Sequence, residues 1–151
     1  MVKPGRILLV EDDPNDVELT LSALAEKNLA NDVFVVSDGE EALDYLYRRK
    51  AYEAREMDDP ALMLLDLKLP KVSGMEVLER IKNNPTLKTI PVVVLTSSQE
   101  EQDLMRSYSL GTNAYVVKPV DFQDFVEAVS ELGLFWIVTN HPPPGTKGWT
   151  G

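Results

Sequence analysis

The sequence predicts one α/β domain built on a parallel sheet. Runs of four to six β-branched and aliphatic residues, such as ILLV, LMLL and VVVL, are too short for buried helices. They alternate with stretches whose apolar residues recur at helical spacing, and strands that are apolar on both faces are typical of a sheet covered by helices. Five such β–α units follow one another in the 151 residues without an internal repeat. Right-handed crossovers would then place helices on both faces of the sheet.

The first half of the chain carries the first two units. The run ILLV predicts strand one, and Pro14–Lys27 predicts helix one, since proline is tolerated in a first helical turn. Strand two is predicted over Asp32–Val36. Helix two begins at Asp38-Gly39 and is expected to run past Lys50. The polar stretch 52–60 then predicts an extended helix end and a surface loop.

The second half carries three further units, each bounded by capping or helix-breaking residues. The predicted elements are strand three ending at Asp66, helix three ending at Asn84-Pro85, strand four over Pro91–Thr96, helix four from Ser98 to Gly111, strand five over 114–117, and a helix capped by Asp121 that reaches Leu132.

Polar side chains follow four of the predicted strands. They are Glu11 and Asp12, Asp66, Thr96, and Lys118. Because parallel sheets bind ligands at the carboxyl ends of their strands, we expect these side chains to meet at one edge. Carboxylates are ligands that suit Mg²⁺, while an ammonium and a hydroxyl can hold phosphoryl oxygens. The sequence therefore predicts a metal-assisted phosphoryl site.

The motifs LLVEDD, MLLDLKLP, VVVLTSS and AYVVKP, in this order and spacing, closely resemble the receiver domain of two-component response regulators. The resemblance covers Arg6 to about Leu134. It implies a doubly wound (βα)5 flavodoxin-like fold with strand order 2-1-3-4-5. It also implies that Asp66 is a phosphoacceptor that attacks a phosphohistidine on a sensor histidine kinase to give an acyl phosphate.

The same resemblance implies a set of ligands for a divalent metal ion. Asp12 and Asp66 would bind Mg²⁺, or Mn²⁺, directly, and Glu11 would act through water. The backbone carbonyl of Lys68 would be a further ligand. A lysine at this position differs from the amide or acid that is often found there, which leaves the lifetime of the phosphoryl group open.

Further roles follow from the resemblance. Thr96 and Tyr115 would be a switch pair, and Lys118 would contact the phosphoryl group. Phosphorylation would change the surface formed by the fourth helix, the fifth strand and the fifth helix. The protein would then act as a switch that binds partners and not as an enzyme.

Composition narrows the class of partner. A net charge of −10 and a pI near 4.5 argue against direct nucleic-acid binding, which depends on basic residues. The chain has no cysteine, which excludes disulfides and thiolate metal sites. No signal pattern precedes strand one and no apolar stretch reaches membrane-spanning length, so we expect a cytoplasmic protein without a membrane partner.

The C-terminal region predicts self-association. We expect a receiver domain over 1–138 and an extended proline-rich arm over 139–151, with no output domain. The segment 132–138 is apolar on all sides, which favours a homodimer over the alternative that the segment folds back onto its own domain. The expected interface residues are Leu104, Tyr108, Phe125, Phe135 and Trp136.

A looser resemblance concerns the partner kinase. The insertion at the end of helix two, over residues 52–60, and the FW-rich helix end followed by Asn140-His141-Pro142-Pro143-Pro144 resemble stand-alone receivers that partner bacterial phytochrome histidine kinases. A phosphorelay intermediate and an aspartyl-phosphate-forming phosphatase remain alternatives. The phosphatase usually has an acid where this chain has Lys68. A nucleotide or flavin binder would need a glycine-rich loop where this chain has carboxylates.

Overall fold

The computed structural model describes residues 6–55, 59–97, 100, 103 and 114–139, and these form a five-stranded parallel sheet flanked by helices. The strand order is β2-β1-β3-β4-β5, which confirms the predicted fold class and order. The strands are β1 Ile7–Val10, β2 Val33–Val36, β3 Leu62–Asp66, β4 Val92–Thr96 and β5 Ala114–Val117.

Each of the four longer helices in the described part of the chain begins at a polar cap. The side chains of Asp13, Asp38, Ser73 and Asp121 accept backbone N–H groups of the first turn, which satisfies donors that have no partner inside a helix. The helices are α1 Pro14–Ala25, α2 Gly39–Tyr47, α3 Gly74–Lys82, α4 Phe122–Glu131 and α5 Phe135–Thr139. The predicted helix over 98–111 lies almost wholly outside the described residues, so α4 here corresponds to the fifth predicted helix. Within the described ranges, no helix has the length and apolar character needed to cross a membrane.

The expectation that helix two runs past Lys50 is wrong. The helix α2 ends at Tyr47, because Arg48 adopts a left-handed conformation with φ of 56° and turns the chain. The N–H of Arg49 then donates to the carbonyl of Asp44 at 2.9 Å, and only a 3-10 turn over Lys50–Tyr52 follows. The insertion is therefore a turn that folds back over α2 and not a longer helix.

Alternate residues of the strands fill two separate cores. Leu8, Met63 and Val92 face the side covered by α2 and α3, and Leu9, Leu64 and Val93 face the side covered by α1, α4 and α5. All six side chains are completely buried. The buried strands hold their own carboxyl ends in fixed positions relative to one another, and that edge is where the predicted site lies.

The apolar segment after α4 folds back onto its own domain. Ile137 in α5 is buried, and Leu134, Trp136 and Val138 pack against the core beneath α1 and α4. The N–H of Leu134 donates to the carbonyl of Val129 at 2.7 Å, which fixes the turn between the helices. The segment therefore folds back onto its own domain, which was the less favoured of the two alternatives. The predicted arm lies outside the described residues beyond Thr139.

Candidate functional site

Three carboxylates meet where β1 and β3 end. Because Val10 pairs with Leu65 in the parallel ladder, the following residues Glu11 and Asp66 lie side by side. One oxygen from each of Glu11, Asp12 and Asp66 lies within 4.8 Å of the others. Glu11 and Asp66 are buried, while Asp12 is exposed. Hard oxygen donors that converge in this way, open to solvent on one side, fit a divalent cation such as Mg²⁺ or Mn²⁺.

The backbone around Asp66 is held by the start of α3. A Cβ at Gly74 would lie 2.2 Å from the Asp66 carbonyl oxygen, so no side chain fits at this position. The Gly74 N–H donates to the Leu67 carbonyl at 3.0 Å, and the Lys68 N–H donates to Asp66 Oδ1 at 3.3 Å. The role of the Lys68 carbonyl as a metal ligand stays a prediction.

Lys118 brings a positive charge to the carboxylates. It follows β5, and its N–H donates to the Thr96 carbonyl at 2.8 Å, which directs its side chain along the carboxyl edge of the sheet. Its Nζ lies 3.0 Å from Asp16 Oδ2, 3.1 Å from Glu11 Oε1 and 3.4 Å from Asp66 Oδ2. The Lys118–Pro119 peptide bond is cis. The structure therefore places Lys118 where the sequence predicted it.

Asp16 is the site residue that the sequence analysis missed. It belongs to the first turn of α1, where an acidic residue is ordinarily explained by the positive end of the helix dipole. Its position four residues after Asp12 gave the available signal, because the start of α1 lies against the carboxyl end of β1. The contact with Lys118 joins residues 102 positions apart in the chain.

The cluster shifts the protonation of two of its members. Burial, and next the neighbouring Asp66, raise the pKa of Glu11 from 4.5 to about 7. Burial opposes the charge of Lys118, but the hydrogen bond to Asp16 and the charges of Asp66 and Glu11 outweigh it and raise the lysine's pKa. Lys118 therefore stays charged, while Glu11 exchanges a proton near neutral pH.

Thr96 and Tyr115 face the same side of the sheet. Tyr115 pairs with Val94 and Val117 pairs with Thr96, so the two predicted switch residues are two positions apart on neighbouring strands. Thr96 is completely buried, and its Oγ1 has no hydrogen-bond partner among the described residues. Tyr115 is half-buried and packs against the core on the α2 and α3 side. A buried donor without a partner is costly unless another group uses it.

The predicted dimer residues have mixed outcomes. Leu104 and Tyr108 lie outside the described residues, and the described part of Phe135 is its backbone in α5. Phe125 is completely buried in its own domain, so its side chain offers no surface to a partner and supports α4 from beneath. Trp136 packs partly against the same core. The interface stays a prediction.

Comparison with known families decides the class of the chain. The profile of the response regulator receiver domain matches residues 7–130, which is most of the chain. The chain belongs to the response regulator receiver family. Among curated relatives, it is 41% identical to a probable methanogenesis regulatory protein, FilR2, of Methanothrix harundinacea, over 93% of this chain and 88% of that protein. It is also 41% identical to response regulator Rcp1 of Synechocystis, over 90% and 91% of the two chains.

Similar solved structures are also response regulators. The bacteriophytochrome response regulator RtBRR is 60% identical with a TM-score of 0.84, covering 96% of this chain and 86% of that one. The Mn²⁺-bound form of Rcp1 is 41% identical with a TM-score of 0.72, covering 93% and 99%. The phosphorylated cyanobacterial phytochrome response regulator RcpA is 42% identical with a TM-score of 0.71, covering 92% and 98%. Phytochrome-associated receivers are thus among the similar proteins.

Proposed function

We propose that this chain is a single-domain response regulator that accepts a phosphoryl group from a histidine kinase onto Asp66. The observation that carries the proposal is the geometry around this buried carboxylate. Its Oδ2 lies 3.4 Å from the Lys118 ammonium, and its neighbours Glu11 and Asp12 complete a set of oxygens that fits a divalent cation. A nucleophile, a fixed positive charge and a cation site are what phosphoryl transfer to oxygen requires.

The chain's residues have separable tasks in this reaction. An oxygen of Asp66 bonds to phosphorus as the phosphorus–nitrogen bond of the kinase phosphohistidine breaks, and the imidazole leaves. The Lys118 ammonium and the Thr96 hydroxyl hold oxygens of the transferred group. A divalent cation at Glu11, Asp12 and Asp66, when bound, would neutralise the negative charge that builds up on the phosphoryl oxygens.

The switch follows from the added charge. A phosphoryl group on Asp66 brings negative charge and acceptor oxygens toward Thr96. Its Oγ1 has no described partner to give up, so it can turn toward those oxygens at little cost. The space that this movement vacates on the same face of the sheet would admit the Tyr115 ring. The resulting change of the β5 surface would be read by a protein partner.

The test is covalent modification by a small phosphodonor. We would incubate the protein with acetyl phosphate and Mg²⁺ and measure intact mass for wild type, Asp66→Asn and the control Asp13→Asn. Asp13 is an exposed helix cap nearby, and asparagine caps equally well. A phosphate adduct that needs the metal, survives in the control and is absent from Asp66→Asn is the expected result. No adduct in wild type would contradict the proposal.

A bacterial phytochrome histidine kinase is the partner that we propose. The 60% identity to the bacteriophytochrome response regulator RtBRR supports this choice over a role like that of FilR2, a probable methanogenesis regulatory protein that is 41% identical. Phosphotransfer from a purified bacteriophytochrome kinase should exceed transfer from an unrelated histidine kinase by about a hundredfold, equivalent to about 2.7 kcal/mol. Equal rates would separate this chain from phytochrome signalling without affecting the role of Asp66.

The homodimer is a further proposal, supported by the apolar residues Leu104, Met105 and Tyr108 of the fourth predicted helix. Sedimentation velocity of wild type and of a variant carrying Leu104→Asp and Tyr108→Asp provides the test. A wild-type dimer that the variant dissociates is expected. A monomeric wild type would end the dimer hypothesis. The two positions are preferable to Trp136, whose substitution would also disturb its own domain.

A further inference from the structure

One carboxylate partner of Lys118 lies outside the group that can hold a cation. Glu11 and Asp66 both contact the ammonium and both belong to the set of oxygens within 4.8 Å. Asp16 also contacts the ammonium, at 3.0 Å, but does not belong to that set. Within the described residues, therefore, Lys118 shares two of its three carboxylate partners with the cation site.

This sharing creates a competition. A divalent cation that takes oxygens from Glu11 and Asp66 neutralises them and also places its own positive charge near the ammonium. The Lys118 side chain is 16% exposed, so water can replace only part of what it would lose. Asp16 approaches from α1 with its side chain 25% exposed, and the cation leaves its carboxylate free to keep the lysine.

We propose that Asp16 is a positioning residue that holds the Lys118 ammonium beside Asp66 while a divalent cation occupies the neighbouring carboxylates. The cation and the lysine then act together on a phosphoryl group and do not displace one another. The proposal rests on the proposed function only in that Asp66 is the phosphoacceptor. Its effect on metal binding needs no phosphoryl group and is measured separately.

Metal affinity gives the first readout. We would titrate Mg²⁺ into wild type, Asp16→Asn and Asp13→Asn by calorimetry at constant ionic strength. The two variants lose the same charge at the same end of α1, but Asp13 does not contact Lys118. In Asp16→Asn the lysine turns wholly to Glu11 and Asp66, so the Mg²⁺ affinity should fall about three- to tenfold further than in Asp13→Asn. Asp16→Glu, which restores the carboxylate, should recover most of the affinity.

Repeating the titrations in a protein that lacks the Lys118 charge shows whether Asp16 changes the Mg²⁺ affinity through this lysine. In Lys118→Met, which keeps an unbranched side chain without its charge, Asp16→Asn and Asp13→Asn should lower the Mg²⁺ affinity equally. Circular dichroism confirms that each variant is folded before titration.

Three results would overturn the proposal: equal effects of the two substitutions in wild type, an excess for Asp16→Asn that survives in Lys118→Met, or no Mg²⁺ binding by the wild type. The Mg²⁺ titrations could give the expected differences while acetyl phosphate gives no adduct. That result would remove the proposed function but support the role of Asp16 in holding Lys118.

Discussion

Two cationic side chains of the described residues, Arg55 and Lys118, are largely shielded from solvent, and they have opposite kinds of partner. Arg55, in the insertion after α2, has a side chain only 6% exposed. Its guanidinium lies 4.3 Å from the centroid of the Tyr45 ring, its Nε donates to the Tyr45 carbonyl at 3.0 Å, and Nη2 is 3.2 Å from Asp59. Lys118, at the edge of the sheet, is surrounded by carboxylates.

The difference lies in the balance of charge. Among the residues that the structure describes, Arg55 meets a carbonyl, an aromatic face and one carboxylate, and these described partners balance its charge. Lys118 meets Glu11, Asp16 and Asp66, so the region around it keeps an excess of negative charge that a cation or a proton can relieve. A buried charge whose partners balance it stabilises the fold. A cluster with an excess of charge of one sign can instead bind a ligand of the opposite sign. The following predictions test this contrast.

Removing the Arg55 charge should have the largest effect on stability. Arg55→Met removes the cation beside Asp59 and on the Tyr45 ring and leaves the Tyr45 carbonyl with only the Arg48 N–H among its described donors, and we expect the free energy of unfolding to fall by about 3 kcal/mol. Urea denaturation should give the same loss with and without Mg²⁺. Arg80→Met is the control, because Arg80 and Glu76 form an exposed pair on α3, and should cost less than about 1 kcal/mol. If Mg²⁺ restored the stability of Arg55→Met, the contrast between Arg55 and Lys118 would be wrong.

Removing the Lys118 charge should cost less, and Mg²⁺ should restore the loss. We expect Lys118→Met to lower the free energy of unfolding by about 2 kcal/mol in the presence of a chelator, since three carboxylates lose a shared donor. A cation bound by the folded state alone would recover this stability. Denaturation of the variant across a Mg²⁺ titration measures it. The idea fails if the metal leaves the variant's stability unchanged.

The raised pKa of Glu11 predicts a pH dependence of stability in metal-free protein. The folded protein keeps a proton up to about pH 7 that the unfolded chain releases near 4.5, so the stabilising contribution is complete below pH 4.5 and declines as the pH rises toward 7. We expect a decline of about 1–2 kcal/mol between pH 5 and pH 7.

The decline is isolated by comparing Glu11→Gln with wild type. The amide resembles the protonated acid at every pH, so its stability should change less over this range. Glu76→Gln, which removes an exposed charge on α3, should keep the wild-type slope. Parallel curves for wild type and Glu11→Gln would count against the raised pKa.

The smallest effects concern two hydroxyls, one from each region. Tyr45 Oη and Thr96 Oγ1 are buried without a partner among the described residues. Removing either by Tyr45→Phe or Thr96→Val should change the free energy of unfolding by less than about 1 kcal/mol, because no hydrogen bond is lost. Only Thr96→Val should reduce the yield of phosphate adduct from acetyl phosphate. An equal reduction in Tyr45→Phe would remove the functional distinction between the regions.

Local sequence was sufficient for the sheet and most of the site. Aliphatic runs and helical spacing are set by neighbouring residues, so the strands and their order of appearance could be read directly. The convergence of Glu11, Asp12, Asp66 and Lys118 followed because parallel strands must present their carboxyl ends at one edge. That inference needed the topology but no knowledge of individual contacts.

Tertiary structure decided what depends on contacts between distant residues. Helix α2 ends at Tyr47 because the chain turns at Arg48 and the buried Arg55 fastens the insertion over it, although the local pattern favoured a longer helix. The apolar α5 packs onto the core of its own domain because the turn after α4 directs it there. The spacing of Asp16 from Asp12 places it near the end of β1, but its contact with Lys118, 102 positions away in the chain, depends on folding that brings α1 beside β5.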